Sequence, residues 1–106
     1  MQKYELKNFT KGWFVGNFSP SLCKSEHFEV AVMHFNKGDF VAPHTHKIAT
    51  EYNVLIEGKM RIKDTIIEKN QIFVLEPNEI ADPEYLEDCT LVVVKSPSVP
   101  TDKYEV

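Results

Sequence analysis

Short runs of β-forming residues, each closed by a cluster of turn residues, recur along this 106-residue chain and constrain its fold more than any other feature. His27 to Phe35 alternates in character, and Asn36-Lys37-Gly38-Asp39 interrupts it. Alternation puts every second side chain on one face of a strand, while Asn, Gly and Asp supply the backbone conformations that turns need. Phe40 to His46 reads as extended, with Pro43 placing it near a sheet end or edge. Glu51 to Glu57 reads as a strand, Gly58-Lys59 as a tight turn and Met60 to Lys63 as the returning partner, because Gly58 suits the positive φ of a short hairpin. Thr65 to Glu68 and Gln71 to Leu75 follow, separated by Lys69-Asn70, and Glu76-Pro77-Asn78-Glu79 makes another turn. Thr90 to Lys95 is strongly β-branched and reads as a central strand. No long window sustains apolar residues at the spacing of a helix face. The expectation is one all-β domain over residues 1–106, an antiparallel sandwich or small β-barrel.

The two ends are less regular. Trp13, Phe14 and Phe18 give residues 1–25 an aromatic character that asks for a packing surface, and a twin subunit would supply one, so a homodimer is expected. Pro97 and Pro100 make residues 96–106 read as an irregular C-terminal tail. With 12 Lys and Arg against 16 Asp and Glu, the chain carries a net charge of −4. That balance gives no electrostatic reason to expect nucleic acid or an anionic membrane as partner. No apolar run approaches the roughly 20 residues of a membrane span, and the start, Met1-Gln2-Lys3-Tyr4-Glu5, has no signal-peptide core. A cytoplasmic location is the default expectation. Cys23 and Cys89 fit no paired-cysteine metal pattern and read as free thiols.

The chemistry is concentrated in His44-Thr45-His46 and Glu51. In an extended segment the two imidazoles project to the same side. Lys47 to Thr50 can make a turn, and a hairpin would then carry Glu51 back beside them. Two imidazoles and a carboxylate with open positions suit a divalent transition metal such as Fe, Mn or Zn. Asn53, two residues on, shares the face of Glu51, where its amide either orients a metal-bound water, a substrate or a ligand histidine, or is satisfied by backbone. Leu55 on that face would close the barrel floor. Arg61 reads as a solvated strand-edge residue, and His27 and His34 have no ligand spacing with the other histidines.

These residues resemble the first motif of the cupin family, G-x5-H-x-H-x(3,4)-E-x6-G. Here Gly38, five residues, His44-Thr45-His46, four residues, Glu51, six residues and Gly58 fill every fixed position. The second motif, G-x5-P-x-G-x2-H-x3-N, is degenerate: Pro77 matches, but Gln71, Glu79, Asp82 and Leu86 stand at the other fixed positions. The resemblance implies a double-stranded β-helix, a cupin-like jelly roll, holding one divalent ion on His44, His46 and Glu51. Asp82, where the family has a fourth histidine ligand, either completes a set of two histidines and two carboxylates, acts as a proton-transfer group, or is turned outward. The implied activity is that of a small metalloenzyme on a small polar metabolite, a sugar or a keto or carboxylic acid, by isomerisation or epimerisation, dioxygenation or lyase chemistry. A metal-dependent binding or sensor module without catalysis is the alternative.

Overall fold

A computed structural model describes residues 1–106 as an all-β structure. Two single 3₁₀ turns, Leu6–Asn8 and Thr10–Gly12, precede the strands. The strands are β1 (Trp13–Val15), β2 (Glu29–Phe35), β3 (His44–Thr45), β4 (Thr50–Glu57), β5 (Lys59–Ile62), β6 (Thr65–Glu68), β7 (Ile72–Leu75), β8 (Ile80–Ala81), β9 (Glu84–Tyr85), β10 (Cys89–Ser96) and β11 (Tyr104–Glu105). One five-stranded sheet has the order β1-β2-β10-β4-β7. Two three-stranded sheets, β11-β3-β8 and β6-β5-β9, supply the other wall. All pairings are antiparallel. No helix is long and apolar enough to cross a membrane.

The β-branched run is the centre of the large sheet, as its composition predicts. β10 pairs with β2 from Cys89↔Phe35 to Lys95↔Glu29 and with β4 along its other edge. Its inward residues Cys89, Leu91 and Val93 are at most 4 % exposed and join Leu55, Met60, Ile62, Ile67, Leu75, Ala81 and Tyr85 in one core. All three sheets contribute to this cluster, which is what closes them around a common interior. Phe35 stacks on Tyr85 with ring centroids 4.2 Å apart, tying the two walls together.

Two expected hairpins are absent for one shared reason. Both hydrogen-bonding edges of β4 are occupied, by β10 and by β7. Neither β3 before it nor β5 after it can pair with it, so the chain crosses to a small sheet at each end of β4. Gly58 is therefore a corner between sheets rather than a hairpin turn. Its φ is +99°, and a Cβ there would lie 2.2 Å from the Asp88 carbonyl oxygen. The tight hairpin comes later, at Lys63-Asp64, which joins β5 to β6 with φ of +48° and +61°. Positive φ at both central residues is the signature of a type I′ turn, achieved here without glycine.

Trp13 packs against this chain's own core, edge-on to Phe18, with the Lys95 ammonium 4.9 Å from its ring centroid. The tail is not wholly irregular: β11 adds to the edge of β3, with Tyr104 opposite Thr45 and Glu105 opposite His44. The cysteines are free, Cys23 exposed and Cys89 buried.

Candidate functional site

The two histidines of the motif lie together, with ring centroids 5.3 Å apart and planes at 79°. Each is fixed through Nδ1 by a backbone carbonyl. His44 donates to Ala42 O at 3.1 Å, and His46, which is buried, donates to the Asp102 carbonyl. A carbonyl only accepts, so Nδ1 carries the proton in both rings and the lone pair is left on Nε2. Burial is the main influence on His44, and it lowers the imidazole pKa below the ordinary 6.5. The Ala42 carbonyl and the charge of Glu51 oppose that shift; Lys103 and His46 add to it. The net effect favours a neutral ring, the form that binds metal.

Glu51 approaches from the opposite wall rather than along a hairpin. On β4 the inward residues are Glu51, Asn53 and Leu55, with Asn53 and Leu55 buried and Tyr52 and Ile56 exposed. Their common face follows from the two-residue period, as expected. Asn53 Nδ2 is buried with no hydrogen-bond partner, so the backbone does not satisfy its amide. Leaving a buried donor unpaired costs about 1–3 kcal/mol, a cost that a ligand accepting from it would remove.

Asp82 stands apart. β8 pairs with β3 so that Ala81, not Asp82, lies opposite His44. Ala81 is buried and Asp82, the next residue, turns outward by strand alternation. Its carboxylate accepts from the Lys63 amide at 2.9 Å and caps the β5–β6 turn. Of the three arrangements open to it, the structure has the outward one. It lines an open surface depression with Lys63, Asp64, Pro77, Asn78, Glu79 and Ile80.

Three further groups face the same interior. Lys95 sits in register between Glu29 on β2 and Glu51 on β4, forming a charged row of alternating sign across the sheet. Its ammonium lies 3.5 Å from Glu29 Oε1, both side chains being largely buried, and Ser98 donates to the other oxygen of Glu29 at 3.1 Å. Parity along Thr90 to Lys95 and along His27 to Phe35 would have placed both residues inside. Tyr85 is buried in the core, and burial, with the negative charges around it, pushes its hydroxyl well above the usual phenol value, so it stays protonated. Asp102, from the tail, had no local sequence signal. Its carboxylate accepts from the amides of Lys47, Ile48 and Ala49. Burial works to raise its pKa, and these three amides, with the nearby His46, outweigh that and hold it below 3.8.

The donor chemistry suits a divalent ion: two imidazoles with Nε2 exposed by their backbone contacts, and an inward carboxylate. His44, His46 and Glu51 are the residues that would hold it. No group of three or more His, Cys, Asp or Glu side chains is gathered closely enough in this structure to hold a metal ion.

No known family pattern and no curated protein matches the chain in sequence. Solved structures do match in shape. An uncharacterised conserved protein with a double-stranded β-helix domain from Klebsiella pneumoniae aligns with a TM-score of 0.70 at 18 % identity, over 77 % of this chain and 72 % of that one. An RmlC-like cupin protein from Desulfovibrio desulfuricans aligns at 0.61 and 23 % identity, over 74 % and 79 % of the two chains. KdgF from a Halomonas species aligns at 0.64 and 16 % identity, over 72 % and 74 %. The fold of this chain is the double-stranded β-helix of the cupin proteins.

Proposed function

We propose that this chain is a divalent-metal-binding cupin that acts on a small polar metabolite, with His44, His46 and Glu51 as the ligands. The observation that carries the reading is the pair of Nδ1–carbonyl contacts, which present two Nε2 lone pairs from residues two apart in one short segment. Metal-ligating histidines characteristically donate their second ring N–H in this way. A divalent ion held there would polarise a carbonyl or hydroxyl and lower the pKa of bound water. Around it, Asn53 Nδ2 donates to an acceptor on the bound metabolite, and Tyr85 offers a protonated hydroxyl rather than a phenolate. Lys95, already neutralised by Glu29, balances the interior charge.

Enzymes of the same fold make an enzyme the favoured reading. Oxalate decarboxylase from Bacillus subtilis is one, with 16 % identity over 77 % of this chain and 24 % of that one, and a DMSP lyase from Ruegeria pomeroyi is another, with 12 % identity over 78 % and 45 %. Isomerase or epimerase, dioxygenase and lyase chemistry on a sugar, keto acid or carboxylic acid are the reaction types to screen. The alternative, a metal-dependent binding or sensor module, is favoured if no turnover is found. We place the protein in the cytoplasm and read it as a homodimer, since Tyr52, Ile56, Ile72 and Val74 leave apolar surface exposed on the neighbouring strands β4 and β7.

The test is metal analysis of protein purified without chelator, for the wild type and for His44→Ala, His46→Ala and Glu51→Gln. About one ion per chain in the wild type and loss of most of it in folded variants is expected. Stoichiometric metal in all three variants would overturn the ligand set. Turnover of a metabolite panel with Fe²⁺, Mn²⁺ or Zn²⁺ separates enzyme from binding module. Sedimentation showing only monomer at micromolar concentration would remove the dimer.

A further inference from the structure

We infer that Asp102 is a positioning residue for His46, so that the C-terminal segment completes the candidate centre. The metal part of this inference rests on the reading above; the positioning part does not. Asp102 is 2 % exposed and engages one short stretch of chain with both its side chain and its backbone. Its Oδ1 accepts from Lys47 N at 2.9 Å, and its Oδ2 from Ile48 N and Ala49 N at 3.0 Å each. Its carbonyl accepts from His46 Nδ1. The same residue thus ties down the turn after His46 and sets which nitrogen of that ring keeps its lone pair.

The grip extends on both sides. β11 pairs with β3 through Tyr104↔Thr45 and Glu105↔His44, the Lys47 ammonium lies 4.1 Å from the Tyr104 ring centroid, and Val106 N donates to Pro43 O at 3.2 Å. Residues 102–106 therefore hold the chain from Pro43 to Ala49. A carboxylate suits the position because three donors converge on two oxygens that only accept. An asparagine would set its own N–H₂ against an amide donor. His44 provides an internal comparison, because its Nδ1 is held by Ala42 and not by the tail.

The experiment uses the full chain, ¹⁵N-labelled and metal-free, at about pH 8, above the ordinary imidazole pKa of about 6.5. Two-bond ¹H–¹⁵N spectra report which ring nitrogen of each histidine carries the proton. In the wild type, His44 and His46 are each expected as a single Nδ1–H form. In Asp102→Ala, His46 is expected to become a tautomer mixture while His44 stays unchanged. Zn²⁺ titrated into the same samples is expected to bind about 10–100-fold more weakly to the variant. If Asp102→Ala does not fold, Asp102→Asn, which keeps one accepting oxygen, carries the comparison with a smaller shift in the same direction. The inference is overturned if His46 keeps one tautomer in the variant, or if both histidines lose theirs together, which would mark general loosening. A wild type that takes up no Zn²⁺ but shows the selective His46 change would support the positioning role and refute the metal reading.

Discussion

Gly38 and Gly58 frame the histidine motif with similar backbone conformations and should respond very differently to alanine. Both have positive φ, +82° and +99°, where a Cβ costs about 1–2 kcal/mol. Replacing glycine also restricts the unfolded chain, which returns roughly 0.4–1 kcal/mol. At Gly38 a new Cβ meets nothing within 4 Å, so these two effects are all that act. Gly38→Ala should therefore cost between about 0 and 1.6 kcal/mol. At Gly58 the Cβ would lie 2.2 Å from the Asp88 carbonyl oxygen and 2.8 Å from Cys89 Sγ. The obstacle is backbone at the entry to the central strand β10, which cannot yield without shifting a ladder fixed on both sides. Adding an overpacking cost of about 1–3 kcal/mol brings the expected loss for Gly58→Ala to about 3 kcal/mol. Urea unfolding followed by the fluorescence of Trp13, the chain's one tryptophan, reads both variants. With a slope of about 1–3 kcal/mol/M, the Gly58 variant should lose on the order of 1–2 M in midpoint and the Gly38 variant a few tenths. Equal losses, or a larger loss at Gly38, would refute the argument that close approach of β10 is what requires a glycine at the corner.

Asn53→Val should raise the urea midpoint by about 1 kcal/mol equivalent, because it removes an unpaired buried donor and adds a β-branched side chain; a loss of comparable size would show that the amide has a partner the fold depends on. Lys95→Met should cost about 3 kcal/mol by stranding the Glu29 carboxylate, and Glu29→Gln on top should recover part of it, a double-mutant cycle in which strict additivity would refute the pairing. Stability should fall on acidification in two windows. The folded-state pKa of His44 lies below 6.5, so as pH drops through that value the unfolded chain takes up its proton first. Asp102, held below 3.8, adds a second loss below that pH. Midpoints measured from pH 8 to pH 3, with His44→Gln flattening only the upper window, check this; a His44-dependent gain in stability between pH 6.5 and 5.5 would contradict it.

The strand inventory was readable because local alternation and turn residues act over a few positions, and β2, β4 and β10 emerge close to their expected limits. Pairing was harder to read, because which strands meet depends on competition for edges. β4 looked like the middle of two hairpins, yet β10 and β7 occupy both its edges. The Lys63-Asp64 hairpin was hidden because neither residue is the glycine or asparagine that usually announces positive φ. At the site, the common face of Glu51, Asn53 and Leu55 followed from the period of a strand, and the two histidines do lie side by side. Asp82 was ambiguous until its neighbour Ala81 proved to be the residue opposite His44. Asp102 carries no local mark at all: its partners lie 53 to 55 residues earlier in the chain.

That separation has a consequence for how the molecule is made. The residue that anchors the His46 segment leaves the ribosome some fifty residues after the histidines. A chain cut just before Asp102 would keep every residue of its buried core and leave one imidazole adrift.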